Sequence, residues 1–276
     1  MSALPAVAQN VTPQLRAWLR AQASLGHTVQ TMLKAMRVAG WQASVAREVI
    51  ATTLRAPDAG ALPRLDRDGA LQLDAGDRQV DVLLQMSRPD LAVLGNFLSD
   101  SECSALVEAA RPSLARSRTG AVKTGGEVLS PDRTSSGMFF TRAENALVER
   151  IEARIARLLN WPVENGEGLQ VLRYLPGAEY KPHHDYFDPA EPGTPSILQR
   201  GGQRVATLVM YLHAPTQGGA TVFPDLGLEV PPQRGHAVFF SYDRPDASTR
   251  SLHGGAPVLA GEKWVATKWL RERKFN

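Results

Sequence analysis

Histidine, aspartate and lysine stand in this chain at spacings that could do chemistry. Residues 180–187 read Tyr180-Lys181-Pro182-His183-His184-Asp185-Tyr186-Phe187, and far downstream come Ser251-Leu252-His253 and then Gly261-Glu262-Lys263-Trp264. A His-x-Asp pair with a distant His supplies two imidazoles and one carboxylate. That donor set holds one face of a non-haem Fe(II) and leaves the other positions open for a cosubstrate and O2. Lys263 adds a positive charge suited to the far carboxylate of 2-oxoglutarate. A lone His-x-Asp is commonly a surface strand, and a lone lysine is commonly solvated. Here both occur in one chain, in workable order.

The elements that must position these residues follow from periodicity. Side chains two apart on a strand share a face, so His183 and Asp185 can point together while His184 points away. A strand folding back would bring His253 to them. His213 and His236 lack partners at useful spacing and read as structural or surface residues. After Gln170 the pattern is that of short strands: Val171–Tyr174, Arg204–Leu212, Thr221–Phe223, Ala237–Phe240 and Trp264–Leu270. Pro176-Gly177, Gly201-Gly202, Gly218-Gly219, Gly235 and Gly254-Gly255 separate them as turn signals. Before them lie two amphipathic helices. One opens with the capping box Ser99-x-x-Glu102, buries Leu106, Val107 and Ala110, and should end at Pro112. The other carries Leu147, Ile151, Ile155 and Leu158 and ends at Asn160-Trp161-Pro162. The expected fold class is α+β, a double-stranded β-helix (jelly-roll) core with buttressing helices and an N-terminal helical segment.

That N-terminal segment, residues 1–57, reads as three short helices. Thr12-Pro13 marks the first start; Gly26 interrupts, and Gly40 fits a stop. The stripes are Leu15, Trp18, Leu19 and Gln22, then Val29, Met32, Leu33 and Met36, then Val45, Val49, Ile50 and Leu54. Two roles fit: an accessory packed on the main domain, or a docking module for a protein substrate. Residues 58–91 are rich in Asp, Gly and Pro and read as a linker with short strands. Residues 92–276 form the main domain.

Composition bounds the rest. The chain has 276 residues, 43% of them hydrophobic and 21% charged, enough for a real core. A formal charge of +3 spread without dense basic runs gives no indication of nucleic-acid binding. Cys103 is the single cysteine, so no intrachain disulfide can form, which suits a reducing compartment. It reads as a half-buried helix residue. Met1-Ser2-Ala3-Leu4-Pro5 lacks the basic region and apolar core of a signal peptide, and the apolar run from Val205 to Leu212 is too short for a membrane span. The expectation is a soluble cytoplasmic protein without membrane association.

Over residues 92–272 the chain resembles the prolyl 4-hydroxylase branch of the Fe(II)/2-oxoglutarate dioxygenases. The matching stretches are Asn96-Phe97-Leu98-Ser99, Glu102-Cys103, Arg133-Thr134-Ser135-Ser136-Gly137, Gln170–Tyr174, Gly177-x-x-Tyr180-x-x-His183-x-Asp185-Tyr186-Phe187 and Arg204-Val205-Ala206-Thr207. Tyr211-Leu212, Gly218–Pro224, Leu252–Val258 and Gly261-x-Lys263-Trp264 continue the series. The resemblance implies Fe(II) on His183, Asp185 and His253. It implies 2-oxoglutarate held at its far carboxylate by Lys263, with hydroxyls from Tyr174 and Thr221 and a wall from Trp269. It implies that Tyr180 and Arg204 face a prolyl substrate, and that Arg133 to Gly137, with Ser135, form a mobile loop over the peptide. Ascorbate is a further implied cofactor. Asp185 is a carboxylate where related halogenases carry a small residue, which favours hydroxylation.

The expected activity is hydroxylation of a prolyl residue in a protein or peptide, with release of succinate and CO2. One departure stands out. Arg271 occupies a position near the substrate where much of the family has His, and its permanent charge has a different donor geometry. Arg271 could favour an acidic group near the target carbon, so the same chemistry on a free amino acid or other small molecule is the alternative. A non-catalytic binding module with the same barrel is the third possibility, disfavoured by the complete triad and lysine.

Overall fold

The structure is a computed structural model. It describes residues 27–54, 62–65, 69–116, 118–121, 126–129 and 132–276, together with residues 11, 12, 15, 18, 19 and 22. Pro13, Gly26 and the rest of the expected first helix lie outside these, but residues 15, 18, 19 and 22 are helical. The chain divides into two compact units, residues 1–61 and 62–276.

In the first unit, α1 (Val29–Val38) and α2 (Ala43–Leu54) follow the two later apolar stripes. The Thr28 side chain accepts a hydrogen bond from Thr31 N and caps α1. Gly40, at φ +90°, takes the left-handed turn that ends it. Met32, Leu33 and Met36 pack against Ala46, Val49, Ile50 and Leu19. These contacts give the unit its own apolar core.

The second unit is built on strands. In chain order they are β1 (Gln72–Asp74), β2 (Gln79–Ser87), β3 (Asp90–Gly95), β4 (Ala115–Arg116), β5 (Arg118–Ala121) and β6 (Gly126–Leu129). Then follow β7 (Ser136–Phe140), β8 (Leu169–Tyr174), β9 (Tyr180–His183), β10 (Arg204–His213), β11 (Gln217–Gly218) and β12 (Thr221–Phe223). The last are β13 (Leu228–Val230), β14 (Ala237–Ser241), β15 (His253–Gly255), β16 (Val258–Ala260) and β17 (Lys263–Arg271). Nine form one antiparallel sheet in the order β1-β2-β3-β14-β10-β17-β8-β7-β4; a second sheet runs β13-β12-β15-β9. A core of Leu172, Val209, Tyr211, Phe223, Phe240 and Val265, among others, fills the unit. This is the expected α+β jelly roll. The described part of residues 58–91 carries short strands, as expected: β1 and β2 extend the large sheet, and six of the nine residues of β2 pair with β3.

Two helices accompany the sheets. α3 (Asp100–Ala110) starts at the expected capping box: Ser99 Oγ accepts from Glu102 N, and Glu102 Oε2 accepts from Ser99 N. α4 (Ala146–Leu159) is capped by Asn145 and ends at Asn160, in the left-handed region at φ 47°. Arg154 of α4 grips Glu102 through two hydrogen bonds, of 2.7 and 3.0 Å. These helices explain why β10 and β17 are buried almost end to end. Odd residues of β17 (Lys263, Val265, Thr267, Trp269) line a pocket, while Lys268, with the opposite parity, pairs with Glu152 of α4. Cys103, on α3, is fully buried rather than half-buried, and its thiol is pushed up to about 11 by burial. Among the described residues no helix is long and apolar enough to cross a membrane.

Candidate metal and cosubstrate site

His183 and His253 come together because β9 and β15 place them directly opposite each other. Cross-strand neighbours of this kind stand side by side on one face, and the ring centroids are 4.5 Å apart. Asp185 lies in the bend just after β9 rather than on the strand itself, yet its carboxylate reaches both rings. Its oxygens are 3.5 Å from His183 Nε2 and 3.4 Å from His253 Nε2. The three donor atoms all lie within 4.8 Å of one another, the one such group of three among the described residues. His184 turns out of the cluster and stacks on Tyr186.

The backbone presets the imidazoles. His183 Nδ1 is 2.9 Å from Lys181 O, and His253 Nδ1 is 2.9 Å from Ser251 O. A carbonyl can only accept, so each Nδ1 carries the hydrogen and each Nε2 lone pair faces the carboxylate. That is the tautomer a metal needs, fixed by the partner of the other nitrogen. Burial pushes the His253 imidazole down to about 4, so the ring is neutral near pH 7. Burial also opposes charge on Asp185, but the electrostatic pull of its surroundings, the Arg204 charge included, holds its carboxyl well below the usual range. Two neutral donors and one anion suit a divalent cation.

Beside the triad the pocket encloses about 460 Å³ of space open to solvent. Lys263 enters it from the first position of β17, opposite Tyr174 of β8. Lys263 is 4% exposed, and its ammonium has no hydrogen-bond or ion-pair partner among the described residues. The rings of Tyr174 and Tyr211 lie 5.5 and 5.8 Å from it. Burial pushes it down to about 8. An unpaired buried cation is costly, so the site is built to receive an anion. Gly219 leaves room for the lysine stem: a Cβ there would stand 3.3 Å from Lys263 Cδ. Gly254 serves β9: a Cβ there would come within 2.8 Å of Tyr180 O.

Thr221 lines the same pocket and accepts a 2.7 Å hydrogen bond from the Tyr211 hydroxyl, leaving its own proton free to be donated. Trp269 forms a wall, with its buried Nε1 lacking an acceptor among the described residues. Tyr180 stacks on His183 at 3.7 Å and its phenol is pushed up to about 12 by burial. A bulge between β9 and β15 lets Tyr180 and His183, three apart, both reach the pocket. Arg133 lies 4.9 Å over the Tyr180 ring and donates to Gln170 Oε1 at 2.7 Å. Ser135 is fully buried and is not among the lining residues.

Arg204 and Arg271 differ from expectation. Neither lines the pocket. Both guanidiniums close on one buried carboxylate, Glu167: Arg204 through bonds of 2.7 and 2.9 Å, Arg271 through one of 2.6 Å. Arg271 also donates to Gly202 O. Arg204 covers the Trp269 ring at 4.0 Å. The expectation that Arg271 reads an acidic group near the target carbon is therefore corrected: its guanidinium lies outside the pocket lining and shares the Glu167 carboxylate with Arg204. Glu167, Thr207, Tyr211 and Tyr242 had no assigned role in the sequence. Thr207 and Tyr211 carried a signal, each through its place in a matching stretch.

A His-Asp-His set, with Asp185 and His253 buried, and an unpaired lysine in one pocket define a metal-dependent enzyme that takes an anionic cosubstrate. The family model described as the 2OG-Fe(II) oxygenase superfamily matches residues 169–271. Prolyl 4-hydroxylase 1 of Arabidopsis thaliana is 46% identical over 202 residues, 67% of this chain and 70% of that protein. Probable prolyl 4-hydroxylase 8 of the same plant is 41% identical over 222 residues, 73% and 74% of the two chains. Among solved structures, a viral collagen prolyl hydroxylase from Paramecium bursaria Chlorella virus-1, in its 2OG complex, aligns with a TM-score of 0.50 and 32% identity, covering 66% of this chain and 95% of that one. The chain belongs to the prolyl 4-hydroxylase family of 2OG-Fe(II) oxygenases.

Proposed function

We propose that this enzyme hydroxylates a prolyl residue in a protein or peptide, consuming 2-oxoglutarate and O2 and releasing succinate and CO2. The observation that carries the reading is the unpaired, buried Lys263 ammonium in the pocket that also holds the His183–Asp185–His253 cluster. The names of the relatives support the substrate class.

In this reading His183 Nε2, His253 Nε2 and the Asp185 carboxylate hold Fe(II). The bound metal supplies the activation of O2 that lets an unactivated C–H bond be oxidised. The protein orients and excludes water. Lys263 receives the far carboxylate of 2-oxoglutarate as a charge-assisted pair. Thr221 donates its free proton to that carboxylate, and Tyr174, across from Lys263, places a second hydroxyl beside it. Trp269, held from outside by Arg204, walls the pocket. Tyr180 and the Arg133 guanidinium above it form the side on which a prolyl ring would rest. The alternative substrate, a free amino acid, was motivated by Arg271, whose guanidinium is engaged by Glu167 and Gly202.

The test is succinate formation from 2-oxoglutarate with Fe(II), with and without ascorbate, against proline-containing peptides and free proline. Stimulation by peptides alone supports the proposal; stimulation by free proline alone contradicts it.

A further inference from the structure

Asp185 is the single anion of the triad, and its orientation decides where a metal can sit between the two imidazoles. Two hydroxyls control that orientation. The Thr207 hydroxyl donates to Asp185 Oδ2 at 2.7 Å. The Tyr242 hydroxyl lies 3.0 Å from the same Thr207 oxygen.

Proton counting gives the chain a direction. An ionised carboxylate only accepts, and a threonine hydroxyl has one hydrogen. Thr207 spends that hydrogen on Asp185, so Tyr242 must donate to Thr207. The chain runs one way, Tyr242 to Thr207 to Asp185. Thr207 is fully buried, Tyr242 is 2% exposed and Asp185 5% exposed. With almost no water access, the hydroxyls have few competing partners, and a one-way chain in such surroundings strengthens each of its bonds.

The backbone fixes both hydroxyls. Thr207 sits mid-strand in β10, paired with Phe240 of β14 on one side and Trp269 of β17 on the other. Tyr242 follows β14 directly, and its N–H donates to Val205 O at 2.9 Å. Arg204 also reaches the Asp185 backbone carbonyl, at 3.4 Å. Asp185 itself lies outside β9, in a bend. A carboxylate without a strand to hold it is held instead by the neighbouring sheet.

We propose that Thr207 and Tyr242 are positioning residues for the metal centre: their one-way hydrogen-bond chain locks the Asp185 carboxylate against the two imidazoles, and metal affinity depends on it. The proposal rests on the triad being the metal site. Hydrogen-bond partners of metal ligands commonly govern affinity by about 10–100-fold.

The experiment is an anaerobic titration of the full chain with Co(II), followed by its visible absorption. Thr207→Val keeps the volume and removes the donor; it should weaken binding by about 10–100-fold. Thr207→Ser restores the hydroxyl and should restore the affinity, which a packing role would not require. Tyr242→Phe should weaken binding less, and should add nothing on the Thr207→Val background, because it acts through Thr207. His183→Ala should abolish the signal. Wild-type affinity in Thr207→Val, at a site that His183→Ala destroys, overturns the inference and leaves the triad standing. Additive losses in the double variant overturn the chain by placing Tyr242 outside it. Co(II) binding unaffected by His183→Ala overturns the triad and the inference together.

Discussion

pH acts on cosubstrate binding through Lys263. The lysine is buried among Tyr174 and Tyr211, and burial alone pushes its ammonium down to about 8. The charged form is the one that binds a carboxylate, so the sign is clear. Below pH 8 the pocket is ready; above it the lysine is neutral and must take up a proton as 2-oxoglutarate binds. At pH 7 about ten-elevenths of the empty enzyme is charged, and at pH 9 about one-eleventh, so the apparent Kd rises about tenfold between them. His253, at about 4, and Tyr180, at about 12, lie outside that window. The assay is the KM for 2-oxoglutarate across pH 7–9 at saturating metal and peptide, beside Lys263→Arg and Lys263→Met. The arginine variant stays charged and should have a flat profile. The methionine variant loses the buried pair, at a cost of about 2–5 kcal/mol, and its KM should rise at least about 30-fold at pH 7. A flat wild-type profile, or the same slope in Lys263→Arg, would refute the reasoning.

Other expectations concern the charge networks. Glu167→Gln leaves the Arg204 and Arg271 charges unmatched in a buried site. It should cost about 3–5 kcal/mol, a fall in melting temperature of about 6–20 °C for a domain of this size; a fall of less than two degrees would contradict the role of the Glu167–Arg204–Arg271 cluster. Glu102 is held down to about 2 by Arg154, Ser99 N–H and Arg150, against the opposing effect of burial. A depressed carboxyl contributes stability above its unfolded value, near 4.5, that is lost as pH falls through 2. The melting-temperature gap between wild type and Glu102→Gln should therefore shrink as pH is lowered from 5 to 2, and a constant gap would count against it. Gly254→Ala forces a Cβ against Tyr180 O and should displace β9, raising the peptide KM as well as lowering stability; unchanged kinetics would show that the strand can give way.

What was legible in the sequence was what period and turn chemistry encode. The strands of the barrel could be drawn from apolar runs between glycines, and α3 from its capping box. His183, His253 and Lys263 could be picked out because they stand on short strands in a fixed order. Tyr174 and Thr221 came only from family resemblance, since a strand tyrosine or threonine is too common to signal anything. Glu167 was invisible for a different reason. Its partners, Arg204 and Arg271, are 37 and 104 positions away, and only the fold brings the three together. Arg271 was misread on that account, because a charge looks free until its counter-ion is found. The Tyr242–Thr207–Asp185 chain is hidden likewise, 35 and 22 positions apart. In residues 58–91 the Asp and Gly content marked a linker and the alternation of Val80, Val82 and Leu84 marked a short strand, but the extent of β2 and its place between β1 and β3 could not be read from it.

The most direct measurement is mass analysis of a proline-containing peptide after incubation with enzyme, Fe(II), 2-oxoglutarate and isotopically labelled O2. One labelled oxygen on a prolyl residue, formed by wild type and absent with His183→Ala and with Lys263→Met at low 2-oxoglutarate, is the predicted result. Labelled oxygen on a different residue type, or an undiminished product in His183→Ala, would contradict the account.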